Sequence, residues 1–222
     1  MKHMFLAIAL MIGLAIDCRA ADIVVSQAVL SDYVNKSGSH GGVPIEQSMV
    51  SLSSNGYYGC IWNNIDLEKG KLSETDYVIG KKISVDNAYG RLSADLSIQR
   101  WCVAGSSENM LELILKQNGP VCGSVIWTKQ VTTGITSRKN RLYVELGKQA
   151  VFEGLTVTPS IATAYLDGFY ATNGWAYVTG RVRAEYPVSG NISFIAQGNI
   201  QRGLIHKKDD LIYGSVGMKL LL

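Results

Sequence analysis

The chain has 222 residues, of which 47% are hydrophobic and 18% charged, and its formal net charge at pH 7 is only +3. This length suits one domain, and the near balance of acidic and basic residues gives no indication of a nucleic-acid partner. The high content of glycine and tyrosine, with only 4 prolines, is typical of a mostly β chain.

The N-terminal residues have the features of a secretory signal. Lys2 and His3 precede an apolar run over Phe5–Ile16, which is shorter than the ~20 residues of a membrane-spanning helix. Small residues, Cys18 and Ala20, occupy the positions that a signal peptidase recognises. We therefore expect residues 1–20 to be a signal peptide and residues 21–222 to form the exported domain. A retained membrane anchor is the alternative.

The mature sequence contains about twelve runs with the period-two alternation of β-strands. In chain order they are Ile23–Val34, Ile45–Ser53, Tyr57–Leu67, Glu74–Val85, Arg91–Val103, Met110–Lys116, Cys122–Val131, Arg141–Phe152, Leu155–Leu166, Trp175–Tyr186, Ile192–Gln201 and Leu211–Leu222. Two irregularities stand out. The alternation loses its phase at Gly147–Lys148, and Pro159 inside the ninth run predicts either a β-bulge or different bounds for that strand.

The connections between these runs alternate in length. Those after odd-numbered runs are generally long and polar, whereas those after even-numbered runs are mostly tight turns, such as Ser54–Gly56 and Glu153–Gly154. This segregation is typical of outer-membrane barrels, in which an even number of strands places both termini at the periplasmic end. We therefore predict an all-β fold, an up-and-down antiparallel transmembrane β-barrel of about 12 strands, within a range of roughly 10–14.

The hairpin over Trp175–Gln201 shows the clearest alternation. Its even positions are small or apolar, while its odd positions carry Trp175 and then mostly polar residues, including Arg181, Arg183 and Glu185. In a soluble sheet the apolar face would pack against a core, whereas in a membrane barrel it faces lipid and the charged face lines the lumen. The alternation fits both arrangements, and the segregated loop lengths favour the barrel.

The last run and the aromatic residues agree with a barrel. Leu211–Leu222 alternates up to a hydrophobic terminal residue, although outer-membrane barrels usually end on an aromatic one. Aromatic residues near strand ends are expected to form girdles at the membrane interfaces. These residues are Tyr33, Tyr57, Tyr58, Trp62, Tyr77, Trp101, Trp127 and Tyr186.

Several segments between residues 29 and 80 resemble one protein family. They are VLSDYV at 29–34, PIEQS at 44–48, NGYYGCIWNNID at 55–66 and ETDY at 74–77, followed by Ile79 and Gly80. Their order and spacing resemble the N-terminal half of the TorF-type porins of bacterial outer membranes, although Cys60 and Asn63 depart from the small residues expected there. The resemblance implies an outer-membrane β-barrel with a pore, and it supplies no catalytic or ligand-binding residues.

Alternation on the clearest strands assigns a set of charged residues to the lumen. The set comprises Glu74, Asp76, Lys82, Arg91, Asp95, Glu112, Lys116, Arg181, Arg183, Glu185 and Lys219, with the face of Glu145 left open. Bases and acids are balanced, which predicts a narrow, weakly selective channel for small polar or ionic solutes. Arg181, Arg183 and Glu185 are the expected constriction.

Two other functions remain possible from the sequence. A plugged barrel would act through its extracellular loops as an adhesin or structural surface protein. An outer-membrane hydrolase would need His40 and His206, which closure of the barrel would bring near Ser39, Asp209 and Asp210. We regard a non-enzymatic channel as the better interpretation.

Few partners are expected. They are outer-membrane lipid, small solutes and, during biogenesis, periplasmic chaperones and the barrel-assembly machinery. No cofactor or metal site is predicted. We expect Cys60, Cys102 and Cys122 to be free thiols, buried or facing lipid, because the strand map places Cys102 and Cys122 at opposite ends of their strands.

Overall fold

The computed structural model describes residues 21–32, 34–35, 38–39, 42–103, 105–131, 139–169, 172–205 and 210–222. The predicted signal peptide, Tyr33, His40, His206 and Asp209 lie outside these residues. Within them, no helix is long and apolar enough to cross a membrane.

The described chain is built from strands. They are β1 (Asp22–Leu30), β2 (Val34–Asn35), β3 (Gly38–Ser39), β4 (Ile45–Ser54), β5 (Tyr57–Asp66), β6 (Lys71–Asn87), β7 (Gly90–Val103), β8 (Ser106–Asn118), β9 (Val121–Gln130), β10 (Asn140–Lys148), β11 (Ala150–Phe152), β12 (Leu155–Asp167), β13 (Asn173–Pro187), β14 (Ile192–Gly203) and β15 (Leu211–Leu221). Strands β2 and β3 form a separate small hairpin in the first long connection.

The remaining strands form a closed, 12-strand, antiparallel barrel, in which β10 and β11 act as one interrupted strand along β12. Strands β1 and β15, the first and last of the barrel, pair with each other and close the sheet. The backbone amide of Leu222 donates to the carbonyl of Ile23 at 2.8 Å. Because each barrel strand has a partner on both sides, no long edge is left open to solvent or lipid. The predicted all-β up-and-down barrel is confirmed.

The two ends of the barrel differ in their connections. The turn end carries the start of β1, the end of β15 and the tight hairpins. These hairpins include Asn55–Gly56 and Glu153–Gly154, whose positive φ angles suit two-residue hairpin turns. The loop end carries the longer connections, among them those between β9 and β10 and between β14 and β15. The segregation of connection lengths expected from the sequence is only partly present, because β7 ends at Val103 and β8 already begins at Ser106 at the same end.

The two faces of the barrel wall have opposite chemistry. Large apolar side chains point outward and are widely exposed, for example Ile79 at 68%, Ile98 at 64% and Ile212 at 84%. Polar side chains such as Thr179 and Asn199 point inward and are buried. An apolar exterior around a polar interior is the arrangement of a membrane barrel, because lipid solvates the outer face.

Two local expectations are wrong. Pro159 causes no bulge in β12; instead the neighbouring strand is interrupted at Gln149, between β10 and β11, because proline has no N–H to donate to the ladder there. The register shift lies between Ala164 and Tyr165, and it turns Trp175 outward, where its ring meets that of Tyr165 edge-on at 5.6 Å. Trp175 therefore does not share the face of Arg181.

The predicted aromatic girdles are wrong for the residues whose rings point inward. Trp62 and Trp101 line a cavity inside the barrel, and Tyr58 donates a hydrogen bond to Asp95 at 2.7 Å. Tyr57 and Tyr186 point outward and are half exposed. Strand phase, and not aromatic character, decides which rings face lipid.

Candidate functional site: the barrel lumen

Two cavities in the lumen lie one above the other and share lining residues. The upper cavity, toward the loop end, has a volume of about 360 Å³ and is lined by Glu74, Asp76 and Trp101 among others. The lower cavity, toward the turn end, has a volume of about 340 Å³ and includes Lys116 and Arg183 in its lining. Both cavities share Arg181 and Gln197, so these two side chains mark where the cavities meet.

The eleven sequence-assigned lumen residues all belong to the inward-facing phase of their strands, but they lie at different levels. Glu74, Asp76, Glu112 and Arg181 line the upper cavity; Lys116, Arg181, Arg183 and Glu185 line the lower one; Lys82, Arg91 and Asp95 line a recess at the turn end; and Lys219 lies near the turn end of β15. Arg91 forms an exposed ion pair with Asp86 at the rim. Of the predicted constriction, only Arg181 stands between the two cavities.

A hydrogen-bond network centred on Arg181 runs along the inner face of the wall where the two cavities meet. Arg181 donates hydrogen bonds to Glu145 and to Asn199, both at 2.9 Å, and to the hydroxyl of Tyr143 at 3.3 Å. Ser160 and Tyr143 donate to the two oxygens of Glu145 at 2.7 and 2.9 Å. Glu145, whose face the sequence left open, thus points inward and holds the Arg181 guanidinium against the wall.

A second network, around Arg141, lies deeper in the upper half. Arg141 donates to Glu112 at 3.3 Å and to Thr128 at 2.9 Å, and its guanidinium lies 5.5 Å from the rings of both Trp101 and Phe169. This site was not predicted from the sequence. Arg141 alternates with apolar residues on its predicted strand, but the loss of phase at Gly147–Lys148 left the face of that strand unassigned. Phe169 belongs to a segment that was predicted to be only a loop.

Apolar side chains fill part of the lumen beside these networks. A buried cluster comprises Met110, Ile126, Tyr143, Ala162, Ala164, Leu166, Phe169 and Tyr177. These residues come from β8, β9, β10, β12, β13 and the connection after β12, so the filling is concentrated on one side of the barrel. The open path is consequently narrower than the barrel itself.

Cys60, Cys102 and Cys122 are free thiols, but the expectation that each is buried or faces lipid is wrong for Cys122. Cys60 points inward and is buried, whereas Cys122 lines the lower cavity. Cys102 lies opposite Thr75 on the outward phase of β7. Cys122 is therefore a natural reporter of access to the lumen.

Solved structures share this architecture. The KdgM porin in complex with disordered oligogalacturonate superposes with a TM-score of 0.56 at 9% sequence identity, covering 90% of this chain and 98% of that one. The two barrels share one fold. The NanC porin gives a TM-score of 0.53 at 11% identity, with 91% and 98% of the two chains covered. At such identities the likeness concerns the fold alone.

No family model and no curated protein sequence matches this chain. Membership of the TorF-type group therefore stays a prediction. His40 and His206, on which the hydrolase alternative depends, lie outside the described residues, so the structure does not place them.

Proposed function

We propose that this protein is a porin of the bacterial outer membrane, related to the TorF-type group, which admits small polar or ionic solutes through a narrow, weakly selective lumen. The observation that carries the proposal is the pair of adjoining cavities, both lined in part by charged side chains, inside a closed barrel with an apolar exterior. Such a barrel needs lipid around its outer face, and delivery there implies export, periplasmic chaperones and the barrel-assembly machinery.

The weak selectivity follows from the lining. Three bases, Arg141, Arg181 and Arg183, have a carboxylate within ion-pair distance: Glu112, Glu145 and Glu185 respectively. Most of their charge is therefore compensated locally, and neither sign dominates the whole path. Arg181 is the strongest candidate for the constriction because the two cavities meet at its side chain.

Single-channel recording tests the proposal, with Cys122 as an internal reporter. Mature protein, folded as judged by heat-dependent gel mobility, should give reproducible current steps in a planar bilayer. A charged methanethiosulfonate reagent should lower each step by attaching to Cys122 in the lower cavity, and Cys122→Ser should abolish that response. If the reagent changes the step size in neither the native protein nor Cys122→Ser, the current does not pass through this lumen.

Replacing Arg181 tests the constriction. Arg181→Met should raise the conductance and shift the ion preference toward cations, because Glu145 keeps its charge while the bulky guanidinium is lost. Arg100→Met is the matched control, since Arg100 lies on the outward phase of β7 and bonds to Ser107. Equal effects of the two substitutions would remove Arg181 from the permeation path.

The second candidate is a barrel with a plugged lumen that acts through its extracellular loops. It is favoured by the buried apolar cluster and the Arg141 network, which fill part of the lumen. Absence of current from verified folded protein would reject the porin and favour this alternative.

A further inference from the structure

Inward-facing acids and bases are unevenly distributed along the barrel axis. Strand β6 runs from the loop end to the turn end, and Glu74 and Asp76 precede Lys82 on it. Strand β8 runs the same way, and Glu112 precedes Lys116. On these two strands the carboxylates therefore lie toward the loop end and the amines toward the turn end. On β10 and β13 the order is reversed, because Arg141 precedes Glu145 and Arg183 precedes Glu185.

Counting by level shows two segments of opposite charge between the rims. The upper segment contains Glu74, Asp76 and Glu112 against Arg141. The lower segment contains four bases, Lys82, Lys116, Arg183 and Lys219, against three acids, Asp22, Asp95 and Glu185. Arg181 and Glu145 balance each other between the segments. Among the described strand residues, the formal excess is therefore negative above Arg181 and positive below it.

The amines of the lower segment come from separate parts of the wall. Lys116 lies close enough to Lys82 and Arg183 for mutual repulsion, and Lys219 comes from β15, on the other side of the closing β1 seam. None of the three lysines forms an ion pair with another described residue. Rim charges alter this pattern little, because Asp66 pairs with Lys69, Glu108 with Lys139, and Asp86 with Arg91.

We propose that the lumen is a bipolar channel that rectifies ionic current, with the larger current when the loop end is positive. This rests on the proposed porin function. Lining charges concentrate counterions, so cations gather in the upper segment and anions in the lower one. A positive loop end drives both toward Arg181, which fills the junction with carriers. The opposite voltage draws both away and depletes it.

The size of the two segments allows this effect at low salt. Glu112 and Lys116 are four residues apart on β8, or roughly 13 Å along a strand. The screening length is about 10 Å in 0.1 M salt and about 3 Å in 1 M salt. The two segments therefore keep separate counterion populations in 0.1 M salt, whereas 1 M salt screens the lining from the centre of the path.

Current–voltage curves of single channels test the proposal. A biotin at the mature N-terminus marks the turn end, so streptavidin in one chamber reports the orientation of each channel. In 0.1 M KCl the current with the loop end positive should exceed the reverse current by about twofold or more, since local potentials reach several kT. In 1 M KCl the ratio should approach one.

Charge removal identifies the source of the asymmetry. Lys82→Gln/Lys116→Gln/Lys219→Gln should abolish the rectification and increase the preference for cations. Asp76→Asn removes a charge from the upper segment and should lower the ratio of the two currents. This single variant keeps the test independent of whether the triple variant folds. Lys81→Gln is the matched control, because Lys81 lies on the outward phase of β6, against Tyr57, and should leave the ratio unchanged.

The outcomes separate this inference from the porin proposal. Absence of current rejects the porin and, with it, rectification. Symmetric current from the native channel in 0.1 M KCl overturns rectification while the porin stands. Rectification that survives the triple variant, or that disappears in Lys81→Gln, overturns the assignment to these lumen charges.

Discussion

Replacing Arg141 by methionine should strongly destabilise the barrel. The Arg141 and Glu112 side chains are only 4% and 6% exposed, so the substitution would leave the Glu112 carboxylate buried without its guanidinium partner. Breaking such a pair by removing one member costs about 3–5 kcal/mol. Gln99 and Thr128 still donate hydrogen bonds to Glu112 at 2.9 and 2.8 Å. Because hydrogen bonds to a charged group are worth about 1.5–3 kcal/mol each, they keep the loss at the lower end of the range for breaking a buried pair. We therefore expect the free energy of unfolding to fall by about 3 kcal/mol.

The measurement is equilibrium urea unfolding in lipid vesicles, followed by tryptophan fluorescence and gel mobility. Arg91→Met is the control, because the Arg91–Asp86 pair is exposed at the rim and its loss should leave the free energy of unfolding nearly unchanged. Glu112→Gln/Arg141→Met should recover most of the lost stability, since neither member of the pair then carries a charge. If Arg141→Met costs no more than Arg91→Met, the Arg141–Glu112 pair does not stabilise the lumen and the reasoning fails.

Three further predictions concern the wall. Gly80→Ala should lower the free energy of unfolding by about 1–3 kcal/mol through overpacking, because the new Cβ would lie 2.6 Å from the Tyr58 ring. Gly198→Ala is the neutral control in the same unfolding assay, because its new Cβ would have no atom within 4 Å. In single-tryptophan variants, brominated lipid should quench Trp175 and Trp127 but spare Trp62 and Trp101, and quenching of Trp101 would contradict its inward placement. Gly90→Ala should reduce the yield of folded protein, since φ there is +123° and the new Cβ would collide with the carbonyl of Asn118; Gly190→Ala, in a turn with no close neighbours, should refold normally.

The barrel could be predicted from the sequence because its wall is specified by local patterns. Period-two alternation in β13 and β14 fixes which side chains face lipid, and the tight turn at Asn55–Gly56 fixes where one hairpin closes. Each pattern involves residues that are neighbours in sequence or across one turn. The strand number and the inward phase of Arg181, Arg183 and Glu185 follow from the same local information.

What the tertiary structure alone decided lies inside the barrel. Arg141 on β10 contacts Glu112 on β8 and Phe169 in the connection after β12. Arg181 reaches across β12 to Glu145, and the bulge at Tyr165 reverses the phase of Trp175. These contacts depend on the relative stagger of strands that are far apart in the chain, and alternation within one strand carries no information about stagger. The sequence therefore determined the wall and its two faces, whereas closure of the barrel decided how the lumen is filled and where its charges meet.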